Sequence, residues 1–336
     1  MNKKIIIIIA FAFTFLTISI STYFLFFFEN TATYIRDGKN SLTTGDYEEA
    51  AISFSKAIKR SPNNATALSG HGISLNWLGR FDESLKSLSK AVKLEPENED
   101  IWLSKGYSES NTGDYEEAKK SFDKVLKLDP DNTYALSEKG WVLYESGDNE
   151  EATKVFNDLI DIDPKNAIAY AGIAAIHLWV EDFDKALVSS EASLKVEPGY
   201  AFAWLTKGGA LIGLDRDDEA LISFDEALKN DPKDPYAFTS KAAALSNLGR
   251  SNEALEAFDE ALSLDPAYSL GWLGKGIVLK KINKDQEALD AFDKVSDKES
   301  ELWSTAQKTK GTILEKMGRL NEANQAFAIA ESINDN

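Results

Sequence analysis

The chain of 336 residues has no cysteine, so it offers neither a disulfide framework nor a thiolate nucleophile or metal ligand. Histidine is nearly absent as well. His71 and His177 stand far apart in the sequence, and a zinc site needs convergent His or Cys ligands. Each reads as a packing or surface residue. No strand pattern is evident, so no glycine-rich phosphate loop can follow one. The acidic pairs Glu116–Glu117 and Asp217–Asp218 open predicted helices, where carboxylates favour the positive end of the helix dipole. The stretch DPDN at 129–132 ends a helix and lacks the spaced oxygen ligands of a calcium loop. No catalytic residue, metal or cofactor is therefore expected. Basic side chains are also scarce: 37 against 55 acidic ones, for a net charge of −18. That balance argues against nucleic acid as a partner.

Proline is sparse but regular. Seven of the eight stand at 62, 96, 130, 164, 198, 232 and 266, always 34 apart. Proline stops helices, because it lacks the N–H and clashes with the preceding turn. Evenly spaced stops at this period mark a stacked array of repeats. The eighth, Pro235, falls where a helix begins and is tolerated there. Other rows keep the same beat. Small residues recur at Gly38, Gly72, Gly106, Gly140, Ala174, Gly208, Ala242 and Gly276, and resume at Gly311. Phenylalanine recurs at 54, 122, 156, 224, 258 and 292, with Leu88 and Ser190 in the remaining places. Within a unit the apolar and small residues step by three and four, as in Ala220, Phe224 and Ala227, the spacing of one helix face. A glycine often separates two such stretches, at 45, 79, 113, 147, 249 and 318. Each unit thus reads helix, tight turn, helix, stop.

This pattern resembles the tetratricopeptide repeat family. The unit WLTKGGALIGLDRDDEALISFDEALKNDP at 204–232 carries it: an aromatic, a small residue four positions on, then alanine, phenylalanine, alanine and a closing proline. About nine units run through residues 31–336, the eighth ending at Ser300 and the ninth beginning near Ser304. The resemblance implies an all-α, right-handed superhelical solenoid of helix-turn-helix repeats. It further implies a concave face lined by the first helix of each unit. The inner stripe of those helices includes Tyr107, Tyr134, Trp141, Tyr144, Phe202 and Tyr236, with Trp77 and Trp179 nearby and Ser69, Ser137 and Thr239 interleaved. Some family members hold an acidic C-terminal tail with basic and amide side chains on this face. Here those places hold Ile35, Ser69, Ile73, Leu103 and Tyr107, and Lys39 alone keeps a base. The expected ligand is therefore a protein or peptide segment of neutral to apolar character, with Trp141 and Tyr107 as anchors. Aromatics at helical spacing serve equally as packing between repeats.

The first thirty residues are of another kind. From Ile5 to Phe28 there is no charge. A helix of that length reaches about 36 Å, enough to span a bilayer core of about 30 Å. Lys3 and Lys4 precede it, which favours a cytoplasmic residues 1–4, a single span at 5–28 and repeats outside the cytoplasm. A cleaved signal peptide is the rival, giving a secreted repeat protein. Its apolar run should be shorter and end in small residues, whereas this one ends in three phenylalanines. A cytoplasmic array behind an inverted anchor is a third arrangement. The functional expectation is a non-catalytic, membrane-anchored interaction scaffold; the alternative is a structural subunit of an envelope or secretion assembly.

Three finer expectations complete the reading. Asn64-Ala65-Thr66 forms a glycosylation sequon in a turn, equally a chance occurrence. Lys105, Lys207, Lys241 and Lys275 each precede the small residue of a first helix, and aspartates follow eighteen residues later at 123, 225, 259 and 293. Ion pairs within each hairpin are expected, Lys139 meeting Asn157 and Lys310 meeting Ala328 as exceptions. The fifth unit, with Ser190, Ser193 and Glu181 at places usually larger or glycine, should be the softest, unless Trp179 swings in to compensate.

Overall fold

The computed structural model describes residues 31–296 and 300–334. The expected membrane span at 5–28 lies outside the described residues. Among the described residues no helix is long and apolar enough to cross a membrane. The described chain is helical throughout and divides into two compact units, one ending at Ile162 and the other beginning at Asp163.

The first unit holds four helical hairpins. They are α1 (31–44) with α2 (Tyr47–Arg60), α3 (Ala65–Trp77) with α4 (Phe81–Leu94), α5 (Glu99–Asn111) with α6 (Tyr115–Leu128), and α7 (Thr133–Glu145) with α8 (Asn149–Ile162). The second unit holds five. They are α9 (Ala167–Trp179) with α10 (Phe183–Val196), α11 (Ala201–Gly213) with α12 (Asp217–Asn230), α13 (Pro235–Asn247) with α14 (Ser251–Leu264), α15 (Ser269–Lys281) with α16 (Asp285–Phe292), and α17 (Glu301–Lys316) with α18 (Leu320–Asn334). The eighth hairpin, which lacks the closing proline, has a second helix of 8 residues where its predecessors have 14. The ninth opens at Glu301, three residues before the repeat phase places it, because the Ser300 hydroxyl accepts the Trp303 amide and caps the helix there.

The repeat rows form the core. Phe54, Phe122, Phe156, Phe224 and Phe292 are wholly or almost wholly buried, with Leu88 in the same role. The small-residue row exists to admit them. A Cβ at Gly140 would stand 2.5 Å from the Phe156 ring, closer than two carbons can approach. Helix starts are set by short polar caps: the side chains of Asn64, Asn132 and Asn166 each accept an amide N–H in the first turn. Asn64 therefore has a structural role of its own, and its sequon arises because Thr66 follows this recurrent cap.

In each unit the first helices of successive hairpins touch, as α3 does α5, α5 does α7, α9 does α11 and α11 does α13. Among the described helices no two second helices make such a contact. The first helices thus form the closely packed row, with the second helices splayed behind them.

Most of the lysines that precede the small-residue row pair between hairpins; Lys105 instead pairs with Glu109 on its own helix, and Lys139 also reaches Glu151 of its own hairpin at 3.3 Å. Lys139 Nζ lies 2.8 Å from Asp123, Lys207 lies 3.0 Å from Glu191, and Lys241 lies 2.7 Å from Asp225. Lys275 pairs with Asp259 and Lys310 with Asp293. Each partner belongs to the second helix of the preceding hairpin or, for Asp293, caps its end, so the expected eighteen-residue register is wrong. A first helix packs between two second helices, and the lysine leans to the earlier one. The two expected exceptions disappear in this register. Under the lysines, Trp102, Trp204 and Trp272 donate their indole N–H to the carbonyls of Pro96, Pro198 and Pro266, at 2.8–2.9 Å. The ammonium groups of Lys105, Lys207 and Lys275 stand 5.4–5.5 Å from those ring centroids. Trp179 does not swing inward; it is 71% exposed.

Candidate functional site

The inner row of the first unit carries a pocket of about 390 Å³. Three consecutive first helices build it. Trp77 comes from the end of α3, Leu103, Ser104 and Tyr107 from one face of α5, and Tyr134 from the first turn of α7. Ile73, Asn76 and Asp100 complete the lining. The helical spacing of three and four residues is what aligns Asp100, Leu103, Ser104 and Tyr107 on one side of α5.

The walls are fixed by contacts outside the pocket. Trp77, 65% exposed, stacks on Tyr47 with centroids 5.1 Å apart and planes 7° apart. Tyr107 packs edge-to-face on Phe81 at 6.1 Å. The Asn76 amide donates to the Ser104 carbonyl at 2.9 Å, tying α3 to α5 at the pocket floor. Its amide oxygen accepts from the buried Ser108 hydroxyl at 2.6 Å. Tyr134 is half exposed, and its phenol is pushed up to about 12, first by burial and then by the Glu138 carboxylate and Tyr107. It stays a neutral hydroxyl at any physiological pH. Glu138, one turn further along α7, is half-buried, and burial raises its carboxyl above the usual range. An adjoining depression of about 300 Å³ shares Ile73 and Asp100 and contains Lys39 and Glu95.

Of the six aromatics expected to form the stripe, the pocket unites Tyr107 and Tyr134. Trp141 and Tyr144 pack edge-to-face on each other at 5.8 Å, and Trp141 on the buried Phe156 at 5.6 Å, which ties Trp141 to the interior of its own hairpin. Phe202 and Tyr236 belong to the second unit. Phe202 is half-buried beside Tyr200 at 6.3 Å, and Tyr236 is half exposed at the start of α13. Of the interleaved polar residues, Ser137 and Thr239 are buried, and the Thr239 hydroxyl donates to the Pro235 carbonyl.

Sequence reasoning passed over a polar interior behind this pocket. Glu109 is buried and paired with Lys105, and Ser121 donates to its second oxygen at 2.5 Å. Ser84 donates to the Gly72 carbonyl at 2.9 Å and lies 3.1 Å from the Ser108 hydroxyl. The signal was present in the repeat register: Glu109 stands where other hairpins have Leu75, Leu143, Leu211, Leu245 and Leu279. Nearby, His71 Nδ1 lies 2.9 Å from Ser87 Oγ, and its pKa is lowered first by burial and then by Arg80, with Glu83 opposing. Among the described residues no group of three or more His, Cys, Asp or Glu is placed to hold a metal.

Helical hairpins repeated at a fixed period, with an inner row of first helices, define a hairpin-repeat solenoid of the kind that presents a long face to other molecules. Tetratricopeptide-repeat models match residues 38–118, 112–176, 177–235, 223–256 and 240–299, and the chain belongs to the tetratricopeptide repeat family. Proteins of this family are generally non-catalytic scaffolds that bind protein or peptide partners. A crystal structure of a tetratricopeptide repeat protein from Parabacteroides merdae ATCC 43184 is similar over 75% of this chain and 99% of that one, with a TM-score of 0.65 at 15% identity. The crystal structure of MamA covers 48% of this chain and 94% of its own at 22% identity, with a TM-score of 0.41, too low to bear on the fold. No curated protein matches the sequence.

Proposed function

We propose that this protein is a non-catalytic, membrane-anchored interaction scaffold that holds a segment of a partner protein along its inner helix row. The pocket between Trp77, Tyr107 and Tyr134 carries the reading, because three successive first helices converge there on one largely apolar depression. Rigid aromatic rings with polar tips supply large contact area at low entropic cost. The rest of the stripe, Trp141, Tyr144, Phe202 and Tyr236, is neutral, which suits a segment of neutral to apolar character. The uncharged run from Ile5 to Phe28 supplies the anchor, and Lys3 and Lys4 before it favour repeats outside the cytoplasm.

Partner capture by the full chain tests the groove. Trp77→Ala and Tyr107→Ala should each weaken capture by about 2 kcal/mol or more, the cost of truncating a hot-spot aromatic. Glu117→Ala, on the exposed start of α6, serves as the control. If both aromatic variants melt early yet capture the partner normally in the folded fraction, the rings are packing residues and the groove reading ends. Trp141→Ala, lying on Phe156, should lower the melting temperature whatever it does to capture. Protease digestion of intact cells, with N-terminal sequencing of the mature chain, tests the anchor: an intact N-terminus and digestible repeats are expected.

A further inference from the structure

We propose that the pocket of the second to fourth hairpins accepts one basic side chain, lysine or arginine, from a partner segment that is otherwise neutral. Its aliphatic stem lies against Leu103 and the rings of Trp77, Tyr107 and Tyr134, and its charged head meets Asp100. This rests on the scaffold reading above and specifies the chemistry of one position in the bound segment.

Asp100, exposed on α5, is the one charged residue lining the pocket, a lining it shares with Trp77, Tyr107 and Tyr134. Ring faces attract cations through their quadrupole, most strongly where water is excluded. An apolar side chain would cover these rings equally well but would strip water from Asp100 without replacing it, which carries a desolvation cost. An acidic one would meet like charge. Glu138 adds to this field from one turn beyond Tyr134 on α7, where burial raises its carboxyl. A cation arriving at the pocket would favour its charged form. Asp100 also lines the adjoining depression, which holds Lys39 and Glu95, but Lys39 is not among the residues lining this pocket. The chain already uses the same pairing internally, since Trp102, Trp204 and Trp272 each carry a lysine ammonium over the ring. A net charge of −18 draws basic segments toward the surface as a whole.

The test uses the full chain in a non-ionic detergent, with 5-fluorotryptophan in place of its 7 tryptophans, so that each gives its own fluorine NMR signal. The probes are three capped pentapeptides, Gly-Ser-X-Ser-Gly, with arginine, norleucine or glutamate at X. The arginine peptide should move the Trp77 signal and bind about fivefold more tightly than the norleucine peptide, the scale of a partly exposed cation–π contact plus an ion pair. Asp100→Asn should remove that preference with the circular dichroism unchanged, Asp100→Glu should keep it, and about 0.5 M salt should weaken it by screening. Equal binding of arginine and norleucine overturns the proposal and leaves the groove reading standing. An arginine preference that survives Asp100→Asn, or a Trp77 signal that no peptide moves, overturns it as well. Failure of the groove reading shows separately, in the capture experiment with Trp77→Ala and Tyr107→Ala.

Discussion

The two units follow one repeat and solve it differently. In the first unit every turn within a hairpin is a glycine in the left-handed region, Gly45, Gly79, Gly113 and Gly147, with φ between 70° and 82°. In the second unit Glu181, Asp215 and Asn283 take that conformation at φ 56–61°, and Gly249 and Gly318 alone keep the glycine. The interiors differ too. Between α3 and α6 the core is stitched by Asn76, Ser84, Ser108, Glu109 and Ser121, whereas between α11 and α14 the corresponding places hold Ile212, Ala220, Ala244, Leu245 and Ala257. The repeat therefore fixes where a side chain sits, while leaving its polarity free. A polar residue survives inside only with its partners, because an unmatched buried polar group costs about 1–3 kcal/mol.

The sharpest way to break this comparison is at Glu109. Glu109→Ala leaves the partly buried Lys105 without its counter-ion, and a loss of up to about 3 kcal/mol is expected. The double change Lys105→Met with Glu109→Leu replaces the pair by apolar side chains, the leucine being the second unit's residue at that place, and should come out near neutral or stabilising, by up to about 4 kcal/mol. Urea unfolding followed by circular dichroism, run on both variants, decides the point. If Glu109→Ala behaves like the double variant, the pair is not a buried charge pair at all. Next in size is Gly140→Ala, which forces a Cβ into the Phe156 ring; overpacking of this kind costs about 1–3 kcal/mol. A crystal structure of that variant should show the Phe156 ring displaced.

The turns give a smaller and reciprocal pair. Gly147→Ala should destabilise by about 1 kcal/mol, because a Cβ is strained at its φ of 82°. Glu181→Gly should relieve the same strain and stabilise by a few tenths of a kcal/mol, net of the entropy glycine loses on folding. Thermal melts that move in the same direction for both would refute this account. Smallest in free energy is Asp123→Ala, which removes the partner of Lys139 on the preceding hairpin and leaves Glu151 at 3.3 Å. Such a pair is worth about 0–1 kcal/mol and should matter less at high salt. Hydrogen exchange tests the comparison without mutation. The fifth hairpin is built largely from alanine and serine, with Ser190 and Ser193 wholly buried and Ser193 donating to the Ala167 carbonyl. Less apolar area lies between its helices, so residues 167–198 should exchange fastest apart from the two ends. Uniform protection through the middle of the chain would count against it.

The sequence by itself determined the period, the helix starts and stops, the turn glycines and the core row of phenylalanines. These depend on local physics: proline's missing N–H, glycine's access to positive φ, capping by short polar side chains and the 3.6-residue helix period. It also supplied aromatic side chains at the places where the family resemblance puts the inner stripe. What tertiary structure alone decided lies between hairpins. Lys139, Lys207, Lys241, Lys275 and Lys310 pair with the acid sixteen or seventeen residues before them, while Lys105 turns to Glu109 on its own helix, because a first helix is wedged between two second helices and nothing in one repeat says which it favours. Of the six stripe aromatics, Tyr107 and Tyr134 reach a common pocket, whereas Trp141 turns onto Phe156. Asp100 and Asn76 join that pocket from different helices, a juxtaposition no local pattern encodes. Periodicity fixes directions around one helix; the neighbours that fill those directions are set by how the hairpins stack.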